Sequence, residues 1–571
     1  MLRCCLYAAT LLLFAVTLLR QAEPLRERCA NNLICRAQLR PAWTMSGHVV
    51  DVGDHQWRAF REHLPLLLPV AVVHASGGRL VRWRFRRHQR AASLRYDALA
   101  GALLVAFVHR AQSLHVFVLV AANYGLSAAC GWAHQRGLGR GQSLAGVTAV
   151  ASWVFFIALL LLREYGRRAL KFGRLFGPSA AWLDRGAMSG AGWWDHANLL
   201  ALRMLSFAMD RARTSAKGGR LHADSGARDS SASPSHPESA AGEVSASAYG
   251  VWEYAAYTLY APTFIAGPTL CATDFLAQLQ RLLPADVDPA RSKACIHPEL
   301  RAGGVATYAI RWAASMAVLE WLSGRAPCFA LSAARLTHGF DDAATALAFS
   351  YLSLKLVWLK FVVIWRFFRL WAMLDGRLPP ENLPRCMSNH YSAIAFWRSW
   401  HASFNRWLVV YVYVPLGGRQ RRVRNVAITF ALVALWHGVE GRMAAWLLLL
   451  LTGLAPELAH EHYQRHRPPT AAALMPRWYE RHLTAAAGAS SISALICANL
   501  VGFGHGAEGV WAMFSTLASL AGLRAAMVAW TFLFICVHIM LDLERWRSGS
   551  RGGALQSARA SEATRAVARA Y

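Results

Sequence analysis

The sequence predicts an all-α, polytopic membrane protein of about eleven transmembrane or re-entrant segments. Three observations predict it. Hydrophobic residues fill 55% of the 571 positions and charged residues only 16%, against roughly 25% charged in soluble domains. The apolar residues are gathered into runs, many of roughly ten to twenty residues, the length at which a helix spans or dips into a bilayer. The 61 Lys and Arg outnumber the 32 Asp and Glu, for a net charge of +29, and the basic residues cluster between the apolar runs. That placement suits cytoplasmic loops facing anionic lipid and argues against nucleic acid as a partner.

In chain order, the first run is Cys4–Leu19. No small-residue cleavage site follows it in "LLRQAEPLRERC", so it is read as a retained span rather than a signal peptide. Leu64–Val73 is short and is read as a dipping or re-entrant segment. Further candidates are Leu99–Val108, Leu114–Ala129, Leu144–Leu162, Leu199–Ala208, Val251–Ile265, Val305–Leu322, Ala343–Leu374, Val426–His437, Met443–Leu454, Thr484–Phe503 and Arg524–Leu541. Several are too short or too polar to stand alone in lipid and need shielding by neighbours. Basic clusters at Arg79–Arg90 and Arg419–Arg424 read as cytoplasmic, which places residues 20–60 in the lumen. There Cys29 and Cys35 are candidates for pairing, although spacing alone does not fix the geometry. The eleven cysteines follow no zinc spacing, and no metal is expected.

The segment Arg213–Ala248 is rich in Ser, Ala, Gly and charge and lacks large apolar groups. Burial cannot repay its ordering entropy, so it reads as a disordered insert. The domain plan is an N-terminal span with a lumenal loop (1–63), N-terminal membrane helices (64–210), a disordered insert (211–248), a core with C-terminal helices (249–546) and a basic disordered tail (547–571).

The chemistry is expected in "FWRSWHASFNRWLVVYVYVPLGG", Phe396–Gly418, and in "VALWHG", which contains His437. Read as one helix, Phe396–Leu408 places Trp397, Trp400, His401, Phe404 and Leu408 on one face, so His401 lies among aromatics. His437 closes a second apolar run, with Gly438 as a helix stop. A single histidine at a helix end is usually a hydrogen-bonded structural residue. Two in the most apolar part of the chain need more, because ionisable groups at membrane depth cost roughly 2.5–3.5 kcal/mol each on insertion scales. Burial disfavours the charged form of an imidazole. A neutral imidazole accepts a proton from an attacking hydroxyl, and a second polar group steadies the carbonyl oxygen as charge develops. Acyl transfer from a thioester to an alcohol needs those two tasks and shelter from water. There is no Gly-x-Ser-x-Gly elbow and no Cys–His pairing, so direct transfer is the simpler scheme.

At these residues the sequence resembles the membrane-bound O-acyltransferase superfamily. The block Leu359–Gly418, "LKFVVIWRFFRLWAMLDGRLPPENLPRCMSNHYSAIAFWRSWHASFNRWLVVYVYVPLGG", is most similar to the glycerol-uptake-protein branch. That branch is associated with remodelling of glycosylphosphatidylinositol (GPI) anchors and is related to hedgehog acyltransferase. Weaker similarity lies in Asp51–Leu67, Leu202–Asp210 and Tyr254–Phe275. The resemblance implies a multi-helix fold around a tunnel, with acyl-CoA entering from the cytoplasmic side. It implies that His437 is the principal catalytic histidine and that His401 occupies a second polar position, which is Asp in hedgehog-type enzymes. It implies long-chain acyl transfer from acyl-CoA to a lipid hydroxyl, best matched by the lyso-phosphatidylinositol of a GPI anchor, in a multi-pass protein of the endoplasmic reticulum. Acyl-CoA is then a co-substrate and no cofactor is implied.

A hedgehog-type protein acyltransferase and a transporter of glycerol or another small solute stand as alternatives. The expected substrate-binding set is Trp397, Arg398, Trp400, Asn405, Arg406 and Trp436. For Arg398 and Arg406 two readings stand, contact with CoA phosphates or snorkelling to the interface. The tryptophans line a tunnel or simply pack. Glu381 is read as a helix cap or a substrate contact, Asp210 and Arg203 as a pair, and His505 and His538 as structural. Val410 stands where the family resemblance leads one to expect a basic residue, and the insert has no family counterpart.

Overall fold

The computed structural model describes residues 2–135, 141–186, 192–216, 220–222, 243–245, 248–282, 297–337, 339–340, 342–466 and 477–550. Most of them are helical. The first helix, α1 (Leu2–Ala30), ends in a small extramembrane loop. In that loop β1 (Leu39–Pro41) pairs antiparallel with β2 (Val49–Asp51), and Cys29 and Cys35 form a disulfide. Helix α2 (His55–Arg84) starts with an Asp54 cap on the Trp57 N–H. It contains Leu64–Val73 as the middle of one 30-residue helix rather than as a re-entrant segment. Pro65 and Pro69 lie inside it, which a membrane helix tolerates when its neighbours satisfy the freed carbonyls.

Next come α3 (Gln89–His109), α4 (Ser113–Gln135), α5 (Gly141–Leu161) and α6 (Trp193–Ala216). Then follow α7 (Val251–Thr258), α8 (Ala272–Leu282), α9 (Ala302–Arg325), α10 (Cys328–Ala333) and α11 (Ala343–Leu374). Among the described residues, eight helical segments are long and apolar enough to cross a membrane. α6, α9 and the helix before His437 are not among them, so their polar positions rely on burial in protein. α6 continues to Ala216, and the short strands β3 (Arg220–His222) and β4 (Glu243–Ser245) pair antiparallel. These elements lie in the stretch expected to be disordered; the rest of that insert, and the tail from 551, fall outside the described residues.

Two apolar cores organise the molecule. One joins α3–α8 to the residues around Trp407 and Trp436. The other joins α1, α2, α9, α10 and α11. At the basic end, Arg377 bridges Asp375 (2.7 Å) and Asp97, while Arg82 and the Tyr260 hydroxyl also reach Asp375. Two arginines and two aspartates thus neutralise each other where α2, α3 and α11 meet, which makes burying the four charges tolerable. At the other end the loop is held by polar contacts. Glu320 accepts from the Trp43 and Thr44 N–H groups and pairs with Arg61. Asp51 accepts from Gly53 N–H (2.7 Å) and Ala330 N–H (2.9 Å). Burial pushes the Asp51 carboxyl up to about 7, against the pull of those backbone donors.

Candidate active site

The reactive segment is not the single helix expected from its pattern. α12 (Ala393–Ser399) ends, Trp400 is extended, and α13 (Ala402–Leu408) begins again after His401. His401 sits in the left-handed region at φ 47, ψ 51, a conformation that costs a non-glycine residue about 1–2 kcal/mol. The break is held in place by Asn382, buried in the loop after α11. Its carbonyl takes the Ala402 N–H at 2.9 Å, and its side-chain oxygen takes both the Ser403 N–H and hydroxyl. Ser403 in turn accepts from Thr269 N–H. Asn382 therefore caps α13. Glu381 does not: it accepts from the Tyr308 hydroxyl and faces Arg366 and Arg369.

The break has a packing reason. Trp400 packs into the core of α1, α2 and α9–α11, whereas Phe404 and Trp407 belong to the core of α3–α8. A continuous helix would keep Trp400, His401 and Phe404 on one stripe; the seam between the cores needs them on two sides. His401 lies at that seam. Its ring stacks on Trp365 of α11 (4.5 Å between centroids, 22°) and meets Phe404 at 5.2 Å and Trp436 at 6.3 Å. Its Nε2 is buried without a hydrogen-bond partner.

His437 ends α14 (Arg422–His437), and Gly438 at φ 153 lets the chain leave in a direction closed to other residues. The His437 ring lies 4.9 Å from Trp436 and 5.0 Å from Phe503. The indole of Trp436 thus touches both imidazoles. His437 is exposed at the helix end, next to the exposed Val439 and Glu440.

The last turn of α14 is anchored from two other helices. Asn198 of α6 donates to the Trp436 carbonyl (2.5 Å) while the Trp436 indole N–H returns to the Asn198 carbonyl (3.2 Å). Arg163, just after α5, reaches the same Trp436 carbonyl at 3.4 Å. These contacts satisfy one of the carbonyls that a helix C-terminus leaves open. Arg163 and Asn198 carry no sequence signal beyond a polar residue beside an apolar run, whereas Trp365 and Asn382 lie within the Leu359–Gly418 block but show no role there until the chain is folded.

The expected substrate-binding residues separate into groups. Trp397 packs edge-on against Phe430 (5.5 Å) and Trp446 (5.7 Å), with its indole nitrogen buried and without a partner. Trp400 stacks on Phe396. Trp436 packs on Phe404 (4.6 Å) between the histidines. Arg406 is paired with Asp274 at 2.9 Å, and Arg398 is exposed. Asn405 is half-buried on α13.

Arg203 and Asp210 do not pair. Arg203 donates to the Thr258 carbonyl and to Thr263, while Asp210 accepts from Thr273 and the Tyr411 hydroxyl (2.8 Å). At Val410 the nearby cation comes from another helix: Arg213 donates to its carbonyl at 3.1 Å and lies over the Tyr411 ring. His505 stacks on Phe349 (4.5 Å), and His538 contacts His482 and Arg481.

Comparison with known proteins matches residues 104–483, which include both histidines, to the model of the membrane-bound O-acyltransferase family. The membrane-bound O-acyltransferase gup1 of Schizosaccharomyces pombe is 30% identical over 515 residues, covering 88% of this chain and 82% of that protein. The Saccharomyces cerevisiae protein GUP1 is 28% identical over 88% of this chain and 84% of its own length. The protein-cysteine N-palmitoyltransferase HHAT of Mus musculus is 30% identical over a shorter stretch, 43% of this chain and 48% of that protein. With a match of this extent to the family and to full-length relatives, the chain belongs to the membrane-bound O-acyltransferases and is an integral, multi-pass acyltransferase.

Proposed function

We propose that this enzyme moves a long-chain acyl group from acyl-CoA to the hydroxyl of a membrane lipid, the lyso-phosphatidylinositol of a GPI anchor. The observation that carries this reading is that two imidazoles, 36 residues apart in the chain, both pack against the one indole of Trp436. In the proposed step His437 takes the proton of the acceptor hydroxyl as its oxygen attacks the thioester carbonyl. The new C–O bond forms, the C–S bond breaks, and the proton passes to the departing CoA thiolate. His401 positions the reacting groups and polarises the carbonyl, held by the Trp365 stack and the Asn382 cap. Aromatic walls exclude water, which would otherwise hydrolyse the thioester.

Similarity over most of the chain to yeast proteins named as O-acyltransferases, against less than half for the protein-cysteine N-palmitoyltransferase, supports an oxygen acceptor over a protein amine. The Cys29–Cys35 disulfide lies at the opposite end from the basic clusters and supports an oxidising lumen on that side, as in the endoplasmic reticulum. Mass spectrometry of GPI-anchored proteins from cells with and without this enzyme tests the acceptor. Accumulation of lyso-anchors in its absence is expected. Unchanged anchors together with loss of an acylated secreted peptide would move the reading to protein acylation.

A further inference from the structure

A cavity of ≈ 460 Å³ opens at the basic end of the molecule, where α2 turns into α3. Its lining includes Arg86, Arg87, Arg90, Arg95, Trp252 and Glu253, and none of it comes from α11–α14, which carry the candidate site. Four guanidiniums face one carboxylate. Arg90 meets Glu253 at 3.3 Å and Arg95 lies 5.7 Å over the Trp252 ring. Among the described residues, Arg86, Arg87 and Arg95 have no acidic partner. Like charges gathered at a concave surface attract an anion able to take several charge-assisted hydrogen bonds, and guanidinium forks fit phosphate oxygens. The N-terminus of the 21-residue helix α3 opens here without a side-chain cap, adding its dipole.

A second observation identifies the kind of anion. Arg95, Leu99, Leu103 and Phe107 recur every fourth residue along α3, on one face. All four are exposed, Leu103 by 71%. The stripe runs from the cationic cavity along about 18 Å of helix, close to the depth of one hydrocarbon leaflet. A soluble anion has no use for the apolar part of this track, whereas a phospholipid places headgroup and chain along its whole length.

We propose that the α2–α3 corner binds a cytoplasmic-leaflet phospholipid whose headgroup carries a phosphomonoester. The phosphate meets Arg86, Arg87 and Arg95, and an acyl chain lies along Leu99, Leu103 and Phe107. A cavity of this size takes a sugar-sized headgroup with its phosphate, so a phosphorylated inositol lipid is the best fit.

Native mass spectrometry of the full-length protein in detergent, titrated with phosphatidylinositol 4-phosphate, phosphatidylinositol and phosphatidylserine, tests this. Preferential retention of the phosphomonoester lipid is expected, weakened about tenfold or more by Arg87→Gln with Arg95→Gln. Glu253→Gln releases Arg90 and removes a repelling charge, so it should bind more tightly, a gain that misfolding cannot produce. Equal retention of the three lipids, with no gain in Glu253→Gln, would reduce the patch to a general basic belt and overturn the proposal. Displacement of the lipid by free CoA, with a raised KM for acyl-CoA in the arginine variant, would overturn it as well by assigning the cavity to the acyl donor.

Discussion

The His401 imidazole and the Trp365 indole lie nearly parallel, 4.5 Å apart. Trp365 is buried in the core on the α11 side, so the stack ties the imidazole plane to that core. Replacing Trp365 by Leu removes the platform while keeping the site apolar. Turnover is expected to fall by about tenfold to a hundredfold with little change in KM for acyl-CoA, because orientation rather than binding is lost. Steady-state kinetics of the purified variant check this; Trp365→Phe should retain most of the activity.

The left-handed backbone at His401 separates strain from chemistry. His401→Gly removes the imidazole and relieves about 1–2 kcal/mol of backbone strain. His401→Val removes the imidazole and adds strain. Both variants should lose activity, while thermal unfolding in detergent should rank the glycine variant clearly above the valine one.

Asn382 is expected to be a structural keystone for that break. Asn382→Ala leaves the Ser403 N–H without its side-chain acceptor, a capping loss of about 1 kcal/mol. Asn382→Asp keeps the acceptor and should retain more activity than the alanine variant at equal expression.

At the opposite end, the Cys29–Cys35 link closes a short loop. The chain-entropy relation gives about 2 kcal/mol for such a loop. Cys29→Ser with Cys35→Ser should lower the unfolding temperature by a few degrees while leaving turnover intact, since the loop lies away from His437.

Asp51 gives that loop a pH dependence. A carboxyl raised from 3.8 to about 7 in the folded protein favours the protonated form there. Between those values the folded state binds a proton that the unfolded state does not, so stability falls as pH rises. The melting temperature should be higher near about pH 5.5 than near about pH 8, with the decline running upward from about pH 4 and levelling off above about 7. Asp51→Asn should flatten the curve; an unchanged curve would remove Asp51 as its source.

The helices were legible because apolar runs report burial in lipid or protein directly. The span Ala343–Leu374 coincides with α11 residue for residue. The break at His401 was not legible, because Trp400 and Phe404 have the right spacing for one helix face. What sends them to two cores is the position of Trp365 and Asn382, which the loop and helix upstream supply only after folding. The disulfide was open from spacing and became definite once the loop brought the two Cα atoms to 5.2 Å. Arg203 and Asp210 show the reverse: their spacing suits a helical pair, yet each finds nearer partners on α7, α8 and α13 and their flanking turns.

The most direct test of the account is acyl transfer by the purified protein in lipid nanodiscs, with His437→Ala beside the parent enzyme. The account expects the variant to insert and unfold like the parent while transfer from acyl-CoA drops by at least about a thousandfold. Transfer at the parental rate would take His437 out of the chemistry and leave the proposed transfer without its base.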